Sequence, residues 1–203
     1  MRLRNVKNAR ELVENNKLVI KENIFKERAL HIEIGCGKGD FIIQKAINNP
    51  EINFIGIEKY ESVLIRALEK APKDISNLRF MCFDALNIVD YFNSNVDKIY
   101  LNFSDPWPKK KHAKRRLTSP VFLNLYEKIS KDTVNIEMKT DNKGLFAYSL
   151  EQFNNNGYHF NKVSLDLGFD EDGNIQTEYE KKFRNNGVTI NYINVSKGSI
   201  NNS

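Results

Sequence analysis

The chain has 203 residues, a formal net charge of +5 and two cysteines. That length suits one domain, burying roughly 70% of the surface its unfolded chain exposes. Cys36 and Cys82 lie in apolar contexts and are too few for a disulfide framework or a metal site, which indicates a reducing, cytoplasmic compartment; the charged first thirty residues hold no signal-peptide core, and no stretch is apolar enough to span a membrane.

In chain order, residues 1–29 read as an N-terminal arm and 30–203 as one domain. Strand-like apolar runs occupy Leu30–Ile34, Asn53–Ile57, Leu78–Phe83, Lys98–Phe103 and Thr133–Met138, separated by segments with helical spacing. Repeated βα units predict an α/β fold, a mostly parallel sheet with helices on both faces. Ser119-Pro120 opens a helix as N-cap and first residue, with Phe122, Leu123, Tyr126 and Ile129 on its buried side. Two further runs, Tyr158–Leu167 and Val188–Val195, with no clear helix between them, predict a terminal antiparallel hairpin and bring the sheet to seven strands.

Gly35, Gly37 and Gly39 alternate where the first strand turns into the first helix, so backbone can pass close to a ligand beside free helix N–H groups. Three glycines alone are a weak signal, equally compatible with packing. The acids around them add weight. Glu58 ends the second strand at the spacing where an acid accepts both hydroxyls of a ribose. Asp84 follows the third strand, where it could accept from an adenine amine, and Glu33 lies just below the glycine turn, within reach of an ammonium. Each acid alone reads equally well as a cap or a salt-bridge partner. An acidic rim with so short a glycine turn fits a cationic adenosine ligand, S-adenosylmethionine, better than a diphosphate dinucleotide.

Asp105 follows the fourth strand in Ser104-Asp105-Pro106-Trp107-Pro108, and six Lys or Arg fill the eight positions from Lys109 to Arg116. So dense a cluster faces water or a polyanion. A solvated loop is the bland alternative, but two prolines and an indole stiffen the lead-in beyond what such a loop requires. Trp107 is placed to stack on a base or to pack in the core. His31, His112 and His159 form no catalytic arrangement and no metal set. Three functions remain open on these residues: methylation of a base carried by a phosphate backbone, methylation of an amino group, and RNA binding without catalysis.

Gly35-Cys36-Gly37-Lys38-Gly39, Tyr100 through His112, Lys139-Thr140-Asp141-Asn142 and Thr177-Glu178-Tyr179-Glu180 resemble, in that order, the bacterial tRNA (guanine-N7-)-methyltransferases. The resemblance runs from about Leu30 to Phe183. It implies a class I, Rossmann-like methyltransferase fold, S-adenosylmethionine as cofactor, and methylation of guanine 46 in the variable loop of tRNA. It further implies that Glu33, Glu58, Asp84 and Asp105 lie in the cofactor region with Asp105 catalytic. Lys109, Asp141, Thr177, Glu178, Tyr179 and Glu180 would meet the substrate, and Lys111, His112, Lys114, Arg115 and Arg116 the RNA. No metal and no membrane are implied, and monomer and weak homodimer both stay open. On the residues alone, Thr177 to Glu180 also fits the start of a helix, with a capping box.

Overall fold

In the computed structural model the described residues are 8–168, 175 and 178–198. The sheet has seven strands, β1 (Leu30–Ile34), β2 (Asn53–Glu58), β3 (Leu78–Cys82), β4 (Lys98–Asn102), β5 (Thr133–Thr140), β6 (His159–Ser164) and β7 (Asn191–Gly198), in the order β3-β2-β1-β4-β5-β7-β6. The first five in that order run parallel, and β7 pairs antiparallel with both β5 and β6. The two late strands do pair with each other, but the later one lies inside and β6 forms the edge, mostly exposed.

Side chains alternate across the strands and divide the core in two. Ile32, Ile55, Ile99, Leu101, Ile136 and Met138 face α4 (Pro120–Ile129) and α5 (Lys143–Asn155) through Phe122, Leu123, Tyr126 and Phe153. Phe54, Phe80 and Tyr100 face α2 (Asp40–Asn48) and α3 (Glu61–Lys70) through Phe41, Ile42, Leu64 and Ala67. The stretch between β6 and β7 carries α6 (Glu178–Asn185), which corrects the expectation of no helix between the two late runs and agrees with the helix-start pattern that ends at Glu180.

The arm is partly tied down. The helix α1 (Ala9–Glu14) buries Val13, and the Leu18 carbonyl accepts from the Phe80 amide at 2.8 Å while the Ile20 amide donates back to the Phe80 carbonyl at 3.0 Å. Strand order reverses at β1, with β2 on one side and β4 on the other, so a crevice opens above the carboxyl ends of these strands.

Candidate active site

Above that reversal lies an open cleft of about 920 Å³, whose lining includes Gly35, Glu58, Asp84, Phe103, Asp105 and Trp107. The glycine turn forms its floor. Gly35, Gly37 and Gly39 have φ of 74°, 56° and 78°, a left-handed region that other residues enter only at a cost. Among the described residues a Cβ on Gly35 or Gly37 would meet nothing within 4 Å, so space is open beside the turn, whereas at Gly39 it would come within 2.8 Å of the Ala67 Cβ on α3. The first two glycines leave room for a ligand, and the third lets α2 pack on α3.

Glu58 closes the turn from the β2 side. Its Oε2 accepts from the Gly37 amide at 3.1 Å, and its Oε1 from the amides of Lys59 at 2.8 Å and Tyr60 at 3.0 Å. Burial pushes its carboxyl above the ordinary range and the negative charge of Asp105 adds to the effect, against these three N–H groups. Asp84 lies two residues beyond the end of β3. It accepts from the Leu86 amide at 3.1 Å and from Lys59 Nζ at 2.5 Å. Partial burial acts to raise its pKa, but the two donors outweigh that and hold it below the usual value.

Glu33 differs from both. It is only 3% exposed, its Oε1 accepts from Asn102 Nδ2 at 2.8 Å, and among the described residues its buried Oε2 has no hydrogen-bond partner. Burial pushes its carboxyl up to about 8; the Asn102 bond, the charge of Lys139 and the nearby Ile42 amide offset this only in part. A buried acceptor without a donor is costly, and it is the kind of atom a cationic ligand above the turn would satisfy. No local signal in the chain marks Asn102, 69 residues away, as its partner.

Asp105 is exposed at the mouth of the cleft. Its loop is strained, since Phe103 and Trp107, one on each side, have φ of 50° and 41°. Left-handed backbone at bulky residues is rare and costs about 1–3 kcal/mol each. Trp107 is half-buried and lines the cleft rather than the core, with His112 edge-on at 5.8 Å and the Arg115 guanidinium 5.0 Å from its ring. Lys109, Lys110, Lys111, Lys114 and Arg115 are exposed, and Lys114 and Arg115 also line the cleft.

Two residues expected to meet RNA or substrate have partners within the protein. Arg116 is half-buried, and its Nε and Nη2 donate to the carbonyls of Pro106 and Trp107, each at 3.0 Å. Glu180 is fully buried, accepting from Lys139 Nζ at 3.3 Å and from Arg184 Nε and Nη2 at 3.1 and 3.0 Å. Lys139, only 4% exposed on β5, also donates to the Ile175 carbonyl at 2.9 Å, and burial lowers its pKa. This cluster pins α6 to the sheet. On the helix, Tyr179 stacks on Phe183 at 4.3 Å and tilts against Phe103 at 4.9 Å, so it stands at the edge of the cleft, near the half-buried Asp141. Thr177 and the side chain of Glu178 lie outside the described residues. No group of three or more side chains suited to a metal occurs among the described residues.

Residues 27–193 match the family model described as "Putative methyltransferase". The chain is 45% identical over 203 residues to the tRNA (guanine-N(7)-)-methyltransferase of Staphylococcus carnosus, covering 94% of this chain and 96% of the relative. It is 47% identical to the enzyme of that name from Lachnoclostridium phytofermentans, covering 95% and 97%. The chain belongs to the tRNA (guanine-N(7)-)-methyltransferase family. Among solved structures, the 16S rRNA methyltransferase KamB superposes with a TM-score of 0.61 at 10% identity, covering 96% of this chain and 94% of that one. A single-site mutant of the 16S rRNA (adenine(1408)-N(1))-methyltransferase from Catenulisporales acidiphilia does so at 0.60 and 14%, covering 95% and 91%. At such identity these two establish the fold alone, that of the class I methyltransferases. No described helix is long and apolar enough to cross a membrane.

Proposed function

We propose that this chain methylates N7 of a guanine in tRNA with S-adenosylmethionine, that the guanine is number 46 in the variable loop, and that it does so in the cytoplasm through one catalytic domain, residues 30–203. The observation that carries the reading is that one cleft joins two opposite chemistries. Acids line it from within, Glu58 and Asp84, with Asp105 at its mouth, and cations line it beside Trp107, Lys114 and Arg115. Acids suit a cationic cofactor and exposed cations suit phosphate. The Glu33 oxygen that has no partner among the described residues and the space beside Gly35 and Gly37 fit the amino-acid end of that cofactor.

S-adenosylmethionine supplies an electrophilic methyl group on a positively charged sulfur. Guanine N7 offers an in-plane lone pair and no proton, so the protein needs no general base, and its work is positioning and electrostatics. In this reading Glu58 and Asp84 hold the adenosine, and Glu33 the ammonium. Asp105 stands where the cofactor half of the cleft meets its basic edge. There its carboxylate stabilises the positive charge that develops on the purine and accepts from its N1–H and exocyclic amine, a set of donors adenine lacks. Asp141 and Tyr179 stand on the substrate side, and Trp107 forms an aromatic wall for a base drawn from its stack.

Incubation with unmodified tRNA and methyl-labelled cofactor, followed by cleavage at 7-methylguanosine, tests both reaction and position. Asp105→Asn keeps the side chain's shape and removes its charge. Its single-turnover rate should fall by about 100-fold with little change in tRNA affinity. The wild-type rate should be flat through neutral pH; a tenfold rise per pH unit there would indicate a base and a different acceptor atom.

A further inference from the structure

Six cations occupy the stretch from Lys109 to Arg116, and the last is not like the others. Lys109, Lys110, Lys111, Lys114 and Arg115 are exposed, while Arg116 is half-buried with its guanidinium turned inward. It donates to the Pro106 carbonyl from Nε and to the Trp107 carbonyl from Nη2, both at 3.0 Å, and it lies 4.3 Å above the ring of Tyr148 on α5. The segment it grips has little else to hold it. Pro106 and Pro108 have no N–H, and among the described residues Ser104 to Pro108 make no backbone–backbone hydrogen bond. Yet this segment carries Asp105 between two residues in left-handed backbone, Phe103 and Trp107. Strained backbone persists only where its surroundings over-determine it. The neighbouring chain is anchored to helices α4 and α5, by Thr118 Oγ1 against Ser149 Oγ of α5 at 2.7 Å and by Tyr126 Oη of α4 donating to the Leu117 carbonyl at 3.0 Å.

We infer that Arg116 is a positioning residue of the methyl-transfer site rather than a contact for RNA: its planar fork, seated on Tyr148, holds the carbonyls of Pro106 and Trp107 and so fixes where Asp105 and the Trp107 indole stand. A planar guanidinium can hold two carbonyls at once and stack on a ring, whereas an ammonium carries the same charge without that geometry. Charge and shape therefore separate the two roles. This inference rests on Asp105 serving methyl transfer as proposed above, but the loop geometry can be read without that reaction, since Trp107 is the chain's single tryptophan.

The test uses the full chain with Arg116→Lys, Arg116→Gln, Tyr148→Phe and Tyr148→Ala. Arg116→Lys should lower the single-turnover rate at saturating tRNA by about 10–100-fold, as a misplaced reacting group does. It should keep tRNA affinity within about twofold and should shift the Trp107 emission in the absence of any ligand. Arg116→Gln should leave the slope of log K for tRNA against log salt unchanged; a phosphate contact would lower it by roughly 0.7–0.9. Tyr148→Ala should lower the rate in the same direction, and Tyr148→Phe, which keeps the ring, should restore it. The inference is overturned if Arg116→Lys reacts at the wild-type rate with unchanged emission, or if Arg116→Gln flattens the salt slope by one phosphate while the rate at saturation holds. Should neither Arg116 variant fold, the Tyr148 pair decides, and equal rates in Ala and Phe would overturn it. If emission shifts while no variant, nor the wild type, methylates guanine, the proposed reaction has failed and the anchoring has not.

Discussion

Replacing Glu33 by Gln should change how the stability of the protein responds to pH. The wild-type carboxyl is buried, accepts one hydrogen bond from Asn102, leaves Oε2 without a partner among the described residues and titrates at about 8. In the unfolded chain it titrates near its free value of about 4.3. Below that value both states hold the proton and the group contributes nothing to the pH dependence. From there to about 8 the native state keeps a proton that the unfolded state has lost, so unfolding free energy falls as pH rises, by up to about 1.4 kcal/mol per unit. Two units, from about pH 5.5 to 7.5, amount to about 3 kcal/mol, which Gln, resembling the protonated form, does not lose. Urea unfolding of both proteins across this range should show the variant gaining on the wild type by about 2–3 kcal/mol, the contributions of other groups cancelling in the difference. A constant difference would refute the reasoning. A cationic cofactor beside Oε2 should in addition expel about 0.9 of a proton at pH 7, read as a dependence of binding heat on buffer ionisation that the Gln variant lacks.

Asp84→Asn should weaken S-adenosylmethionine binding by about 1.5–3 kcal/mol, because a charge-assisted bond is removed, with tRNA affinity unchanged in calorimetric titration. Gly39→Ala combines φ of 78° with a Cβ 2.8 Å from that of Ala67 and should cost about 2–4 kcal/mol in urea unfolding, whereas Gly37→Ala, with open space around it, should cost only the backbone part, about 1–2 kcal/mol. Equal costs would show that packing against α3 is not what the third glycine serves. Replacing Lys110, Lys111, Lys114 and Arg115 together by Gln should flatten the salt dependence of tRNA binding by roughly 0.7–0.9 for each phosphate no longer neutralised; an unchanged slope would make the segment a solvated surface.

The strands of the sheet were legible because their cause is local. Ile32, Ile34, Ile55, Ile57, Ile99 and Leu101 alternate with residues of the opposite core, and such runs have few other uses. Of the helix α6 only the start was legible, in the capping-box pattern that ends at Glu180; its body was not, because what it buries is not apolar. In Glu178–Asn185 the fully buried Glu180 and the Arg184 side chain, at 5% exposure, face the sheet, and the pair Tyr179 and Phe183 lies beside the cleft. Hydrophobic periodicity assigns such charges to the solvent side. The Lys139 ammonium, 41 residues earlier in the chain, makes their burial tolerable, and removal of one partner from such a group is strongly destabilising.

The same limit applies to the site. The acids were legible as a set because each stands at the carboxyl end of a parallel strand, and strand order alone brings those ends together. Their differences were not, because the ionisation of an acid is set by its donors. Glu58 gains one amide from the turn it closes and two from the residues that follow it, Asp84 gains Lys59, and Glu33 gains a single side-chain hydrogen bond from a strand 69 residues on. In the sequence the three are interchangeable carboxylates; in the fold one is left short of donors among the described residues. Arg116 illustrates the converse. Among six cations in eight positions nothing local distinguishes it, and its role follows from Tyr148, 32 residues later, which offers the surface on which its guanidinium is seated while it holds the carbonyls of the two residues that follow Asp105.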